Sequence, residues 1–141
     1  MTFKIIHNPY LVGCAHLLTS TDYVFASCSD TQRIAAVSGG CGAPFAYAGS
    51  VALDTEPGAM ESLDGFLWTV CADGSLRKYT LAAVPVLTAT FDLGCSTEDL
   101  IAVSGSFVLC AGLPGSVLVV NASGVIVARA DGILRNITEL V

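Results

Sequence analysis

The stretch Leu63-Asp64-Gly65-Phe66-Leu67-Trp68-Thr69-Val70-Cys71-Ala72-Asp73-Gly74-Ser75-Leu76-Arg77-Lys78-Tyr79-Thr80-Leu81 decides how this chain is read, because it has a cousin on either side. Upstream stands Leu18-Thr19-Ser20-Thr21-Asp22-Tyr23-Val24-Phe25-Ala26-Ser27-Cys28-Ser29-Asp30, running on into Ile34-Ala35-Ala36-Val37-Ser38. Downstream stands Val103-Ser104-Gly105-Ser106-Phe107-Val108-Leu109-Cys110-Ala111-Gly112, followed by Gly115-Ser116-Val117-Leu118-Val119-Val120-Asn121. Each copy is an apolar run closed by a cysteine, and the cysteines at 28, 71 and 110 are 43 and 39 residues apart. A period near 40 that holds several short strands marks a repeat architecture in which each unit buries its faces only against its neighbours.

The strand map follows from alternation and punctuation. In the middle repeat, Met60 to Leu63, Phe66 to Ala72, Ser75 to Leu81 and Val86 to Leu93 read as four strands. Asp73-Gly74 is the turn between the second and third, glycine accepting the positive φ that a tight hairpin requires. The third repeat reads as Leu100 to Val103, Phe107 to Ala111, Ser116 to Asn121 and Val125 to Arg129, with Leu113-Pro114-Gly115 as its hairpin. The first reads as Leu11 to Leu18, Tyr23 to Cys28, Arg33 to Ser38 and Ala48 to Leu53, with a glycine-rich link at Gly39-Gly40-Cys41-Gly42. Phe3 to His7 is left over at the front, and 133–141 resembles the opening strand of a further unit. No linker or low-complexity segment divides residues 1–141, so the expectation is one domain with repeats at about 11–53, 58–93 and 98–129 and a remnant at 133–141.

Composition agrees with an all-β chain. Of 141 residues, 53% are hydrophobic and 13% charged, and mean hydropathy is +0.70. Fourteen glycines and five prolines cut this apolar background into short segments rather than long helices. The net charge is −6, and the basic residues Lys4, Arg33, Arg77, Lys78, Arg129 and Arg135 form no stripe that could neutralise a phosphate backbone. A nucleic-acid partner is therefore not expected. The six cysteines show no CxxC pair, and Cys28, Cys71 and Cys110 share one phase of the repeat, so they read as reduced core thiols of a cytoplasmic protein. Between Asp99 and Arg129 there is no charge, but Ser104, Gly105, Ser106, Gly112, Pro114 and Gly115 cut this stretch into strand-sized pieces and argue against a membrane span. Near the start, the apolar patch from Tyr10 to Leu18 is short and broken by His16, which reads as strand rather than as a leader. The sequons at Asn121-Ala122-Ser123 and Asn136-Ile137-Thr138 carry no meaning in a cytosolic chain.

With these repeats in view, the middle unit resembles a WD-repeat β-propeller blade. Cys71-Ala72-Asp73-Gly74-Ser75-Leu76-Arg77-Lys78-Tyr79-Thr80-Leu81 matches the family's strand, Asp-Gly turn and following strand, with Tyr79-Thr80 where Trp-Asp is usual. The first unit carries over the turn aspartate as Asp30, whereas in the third Pro114 replaces it, Gly115 keeps the turn, and Val120-Asn121 takes the Trp-Asp place. The Gly-His pair that opens such repeats is missing, so the family's buried His, Asp, Ser/Thr and Trp network is incomplete. The resemblance implies three four-stranded antiparallel propeller-like blades forming a partial propeller, with Asp30, Asp73, Gly74, Tyr79 and Gly115 as structural turn and blade residues. It also implies a rigid platform for other proteins, without catalysis of its own.

Each candidate for chemistry has a plainer reading beside it. Cys14 and His16 share a strand face at i and i+2, yet no third polar group nearby orients the histidine. Glu98-Asp99 and the pair Asp54 and Glu56 fall in expected loops, where solvated acidic turns are ordinary. Gly39 to Gly42 lacks the strand-loop-helix context of a phosphate loop, and Trp68 sits inside an apolar strand as core. Tyr23, Phe66 and Phe107 recur near the start of the second strand and are read as packing between blades. Arg77-Lys78 presents one residue to each face of its strand and receives no ligand. No catalytic, cofactor or metal residues are expected.

An array of three blades leaves two apolar faces bare, whereas rings of this kind have four to eight blades. The expected function is thus a non-catalytic scaffold completed by self-association or by another subunit. The alternatives are a structural subunit of a large particle, such as a virion or cytoskeletal assembly, and a propeller lectin or enzyme.

Overall fold

Twelve strands in three separate antiparallel sheets make up the computed structural model, which describes residues 8–40, 43–111 and 116–130. The first sheet contains β1 (Cys14–Thr19), β2 (Tyr23–Cys28), β3 (Arg33–Gly40) and β4 (Ala43–Ala52). β5 (Pro57–Leu63), β6 (Phe66–Cys71), β7 (Ser75–Thr80) and β8 (Leu87–Asp92) form the second. The third contains β9 (Asp99–Val103), β10 (Ser106–Ala111), β11 (Ser116–Asn121) and β12 (Ile126–Ala130). Each sheet is an up-and-down meander in sequence order. The expected all-β, four-strand plan therefore holds in all three repeats. The segments 1–7 and 131–141, with the remnant strand, and the 112–115 hairpin with Gly115 lie outside the described residues.

Turn chemistry sets the registers. Asp64-Gly65 and Ser104-Gly105 both carry two successive positive φ angles (53° and 78°, 51° and 79°). This is the two-residue turn whose twist matches paired strands, and it places Leu63 opposite Phe66 and Val103 opposite Ser106. The Ala72-Asp73-Gly74 hairpin is one residue longer: the Gly74 amide donates to the Cys71 carbonyl at 3.0 Å and Gly74 takes φ +84°. In the first sheet the glycine-rich stretch extends the strands, with Gly40 paired to Ala43. β4 consequently begins five residues before the expected Ala48, because small residues there tolerate two register shifts.

Consecutive sheets pack face to face, and the opening strand of each lies beside that of the next: β5 contacts both β1 and β9. The middle sheet is therefore covered on both faces, which is why Phe66–Cys71 is buried almost throughout rather than alternating, with the one polar side chain, Thr69, donating to the Ala59 carbonyl at 3.1 Å. Leu67 faces the first sheet in a cluster with Phe25, Ile34, Ala36 and Tyr79. Its neighbour Trp68 faces the third, among Leu100, Phe107, Leu109 and Leu118. The indole stacks on Phe91 (5.8 Å) and meets Phe107 at 4.9 Å, while its Nε1 donates to the Leu63 carbonyl at 3.3 Å. Tyr23 and Phe66 pack at the margins of these same clusters. The outer strands β8 and β12 are largely exposed.

Candidate functional site

The rim where β2–β3 and β6–β7 turn, and where one sheet passes to the next, carries a connected network of hydrogen bonds and ion pairs. Its hub is the Ala72–Gly74 turn. On one side the Ala72 amide donates to the Glu56 carbonyl at 3.0 Å, and the Asp73 amide to Thr55 Oγ1 at 3.2 Å. On the other, the Leu93 amide donates to the Gly74 carbonyl at 3.0 Å and Ser96 Oγ to the Ala72 carbonyl at 3.3 Å. One turn thus fastens both links that connect the middle sheet to its neighbours.

Side chains complete the hub. Asp73 Oδ1 accepts from the Ser75 amide at 3.0 Å and from the Ser75 hydroxyl, whose oxygen in turn accepts from Arg77 Nε at 3.1 Å. Arg77 Nη2 donates to Asp73 Oδ2 at 3.0 Å and to Asp54 Oδ1 at 2.7 Å. Arg77 is 8% exposed, so this guanidinium is buried and shared between two carboxylates. Hydrogen bonding from the Ser75 side chain, helped by its amide and by Arg77 against the cost of burial, holds Asp73 below its ordinary pKa. Burial opposes the charge on Arg77, but its bonds to Asp54 and Asp73 outweigh that and keep it firmly protonated. Burial also raises Tyr79, against the pull of Arg77, and pushes the Cys71 thiol to about 11 despite Arg77 and Ser75.

Two shallow cavities flank the hub. One of about 300 Å³ is lined by Asp73, Gly74, Asp92, Gly94, Cys95 and Ser96. The other, of about 260 Å³, is bordered by His16, Glu56, Cys71, Thr97 and Glu98, and the Thr97 hydroxyl is buried without a hydrogen-bond partner among the described residues. Of their lining groups, the Cys71 thiol is pushed towards its protonated form by burial, and Asp73 is committed to Ser75 and Arg77. Among the described residues, no three His, Cys, Asp or Glu side chains converge as metal ligands. No helix there is long and apolar enough to cross a membrane.

The candidate residues fall as follows. Cys14 and His16 do not form a thiol and base, because Cys14 is bonded to Cys28 in a disulfide and a bulge separates it from His16. The expectation of reduced thiols thus fails for Cys28, and Cys71 and Cys95 are the free cysteines among the described residues. Asp30 lies in the 29–32 turn with its carboxyl group against the Gly13 backbone: a Cβ on Gly13 would stand 2.4 Å from Asp30 Cγ. That turn is one residue longer than its middle-sheet counterpart. Gln32 (φ 51°) takes the place of Gly74, its carbonyl accepting from the Leu53 amide at 2.8 Å. Tyr79 is buried between the first two sheets. Asp99 accepts from the Leu100 amide at 2.9 Å.

Lys78 lies on β7, between β6 and β8, and its ammonium sits 4.0 Å over the Phe66 ring. Sequence reasoning missed the Arg77 network and the Cys14–Cys28 bond. The second lay outside a regular register: the hairpin turning at Ser20–Asp22 would set residue 15 opposite residue 28, and the bulge between Cys14 and His16 is what brings Cys14 there.

No family model matches this chain, and no curated protein matches it. Solved structures do. The crystal structure of BBS1N in complex with ARL6DN, soaked with mercury, superposes with a TM-score of 0.59 at 12% identity over 79% of this chain. The streptogramin B lyase structure superposes with a TM-score of 0.68 at 12% identity over 84% of it. A lead-soaked form of the BBS1N and ARL6DN complex gives 0.60 at 15% identity over 77%. These are propeller-type folds. The chain is a partial β-propeller. It spans only 35–40% of the length of those chains, and its three sheets are three blades of such a ring.

Proposed function

We propose that this chain is a non-catalytic protein-interaction scaffold of WD-like blades, a propeller sector completed by a second copy of itself or by another subunit. The observation that carries this reading is the outward face of the third blade. Phe107, Leu109, Leu118 and Val120 are buried against the middle blade. Strand alternation turns Ile101, Val117 and Val119 to the opposite side, where they are half-buried and Val103 is 47% exposed. A face of branched aliphatic residues at the end of a blade array is what a neighbouring blade covers in a closed ring. One of the similar structures is itself a complex with a protein partner, which supports the same reading. The spent sulfur of Cys14 argues against the one nucleophile and base pair that the sequence offered.

The proposed setting is the cytoplasm, where thiol buffers keep most cysteines reduced, so the Cys14–Cys28 bond is there a transient rather than a permanent tie. Sedimentation equilibrium of the purified chain tests the scaffold. It should show a dimer or larger species, or a chain that becomes soluble and monodisperse only with a co-purifying subunit. Monodisperse single copies at all concentrations would refute it.

A further inference from the structure

The segment Asn8–Gly13 lies over the outward face of the first blade, and one covalent bond ties down its end. Leu11 packs on Ala26, Cys28 and Ala35, a flat floor of small side chains with Tyr47 at its margin. The Tyr10 ring meets Tyr47 at 6.1 Å and carries the Arg33 guanidinium at 4.0 Å. The remaining ties are exposed hydrogen bonds: Thr31 Oγ1 to the Tyr10 carbonyl at 3.4 Å, and Ser29 Oγ to the Gly13 carbonyl at 3.3 Å beside the Ser29 amide at 3.1 Å. Contacts of this kind let a short segment open locally without unfolding the sheet beneath it. The Cys14–Cys28 disulfide follows directly on Gly13, with Cys14 exposed and Cys28 fully buried in the floor that the segment covers.

We propose that this disulfide is a redox latch that holds Asn8–Gly13 over the outward face of the first blade. A thiolate of a dithiol attacks Sγ of Cys14, the more exposed residue of the pair, and the Cys28 sulfur leaves as a thiolate and takes up a proton. The second thiol of the reductant then attacks the mixed disulfide, releasing Cys14 as a thiol and the reductant as its own disulfide, a two-electron exchange that balances. Among the described residues the segment is then held by non-covalent contacts alone, and it opens. This inference stands on the first blade alone and does not require the scaffold reading.

Limited chymotrypsin digestion of the native protein, with and without dithiothreitol, tests it, using alkylation by iodoacetamide to follow each cysteine. Reduction should raise the rate of cleavage after Tyr10 by about tenfold or more, the signature of a locally opened segment. Buried Cys71 should stay unmodified over the same interval, showing that the blades remain folded. C14S should be cleaved quickly without reductant, and if that variant fails to fold, reduction of the natural chain still decides the matter. Three results would overturn the latch: unchanged cleavage once both thiols are alkylated, Cys71 becoming reactive together with Cys14, or Cys14 and Cys28 already alkylated without reductant.

Discussion

The two end faces of the array are built from the same strand plan and finished differently. On the first blade, the face that points away from the core is floored by Ala26, Cys28 and Ala35, and the preceding segment folds back onto it through Leu11 and Tyr10. Its lower part keeps Leu17 in the open, 70% exposed. On the third blade the corresponding face carries Ile101, Val117 and Val119, and the described residues form no buried cluster there. Small side chains let a peptide lie flat and close, whereas β-branched ones present a ridged surface suited to another sheet. The two ends of a propeller sector are thus not interchangeable: among the described residues the first is covered by its own chain, and the third, on the function proposed above, is the one a partner would cover.

The largest expected effect comes from the packed face between the middle and third blades. Trp68→Ala removes an indole buried against Phe91 and Phe107 and should cost about 3–5 kcal/mol in urea unfolding, enough to loosen the third blade while the first keeps its packing. A loss below about 1 kcal/mol would mean that the middle and third blades are not docked through this ring. Asp73→Ala comes next, at roughly 1–3 kcal/mol, because it strips the buried Arg77 of one carboxylate and frees the turn that fastens both links.

The pH dependence of the same group sharpens the point. The folded-state pKa of Asp73 lies below its unfolded value of about 3.9, so its contribution is complete above that pH and is lost as the pH falls through the folded-state pKa. The stability gap between the natural chain and Asp73→Asn should therefore close on acidification below about pH 4, and a gap that stays constant would remove Asp73 from this role. Smaller still is Leu11→Ala on the capped end, expected to cost about 1 kcal/mol without changing the mass of the assembly. Val119→Glu on the open end should do the reverse, shifting stability by no more than about 0.5 kcal/mol while abolishing association.

Most of the fold was legible because its signals are local. The apolar runs at Tyr23–Cys28 and Phe66–Cys71, and the glycines that follow Asp64, Asp73 and Ser104, specify strands and hairpins without reference to anything distant. What could not be read depends on neighbours in space. Arg77 looked like half of an idle basic doublet, since its value lies in Asp54, 23 residues away in a link that only folding brings near. The shared phase of Cys28 with Cys71 suggested one fate for both. Their environments differ because Cys28 lies on the outward face of the first blade, opposite Cys14, and Cys71 lies in the core between the first two. The start of β4 was misplaced because glycines at 39 and 40, which ordinarily mark a link, here continue the ladder to Ala43.

The most direct measurement is light scattering on three purified chains: the natural sequence, Val119→Glu and, as a control on the other end face, Leu17→Glu. An open third-blade face predicts a multiple of the 14.5 kDa chain mass for the natural sequence and for Leu17→Glu, and a single chain for Val119→Glu. A natural chain that runs as a monomer, or a Val119→Glu chain that keeps the mass of its parent, would contradict it.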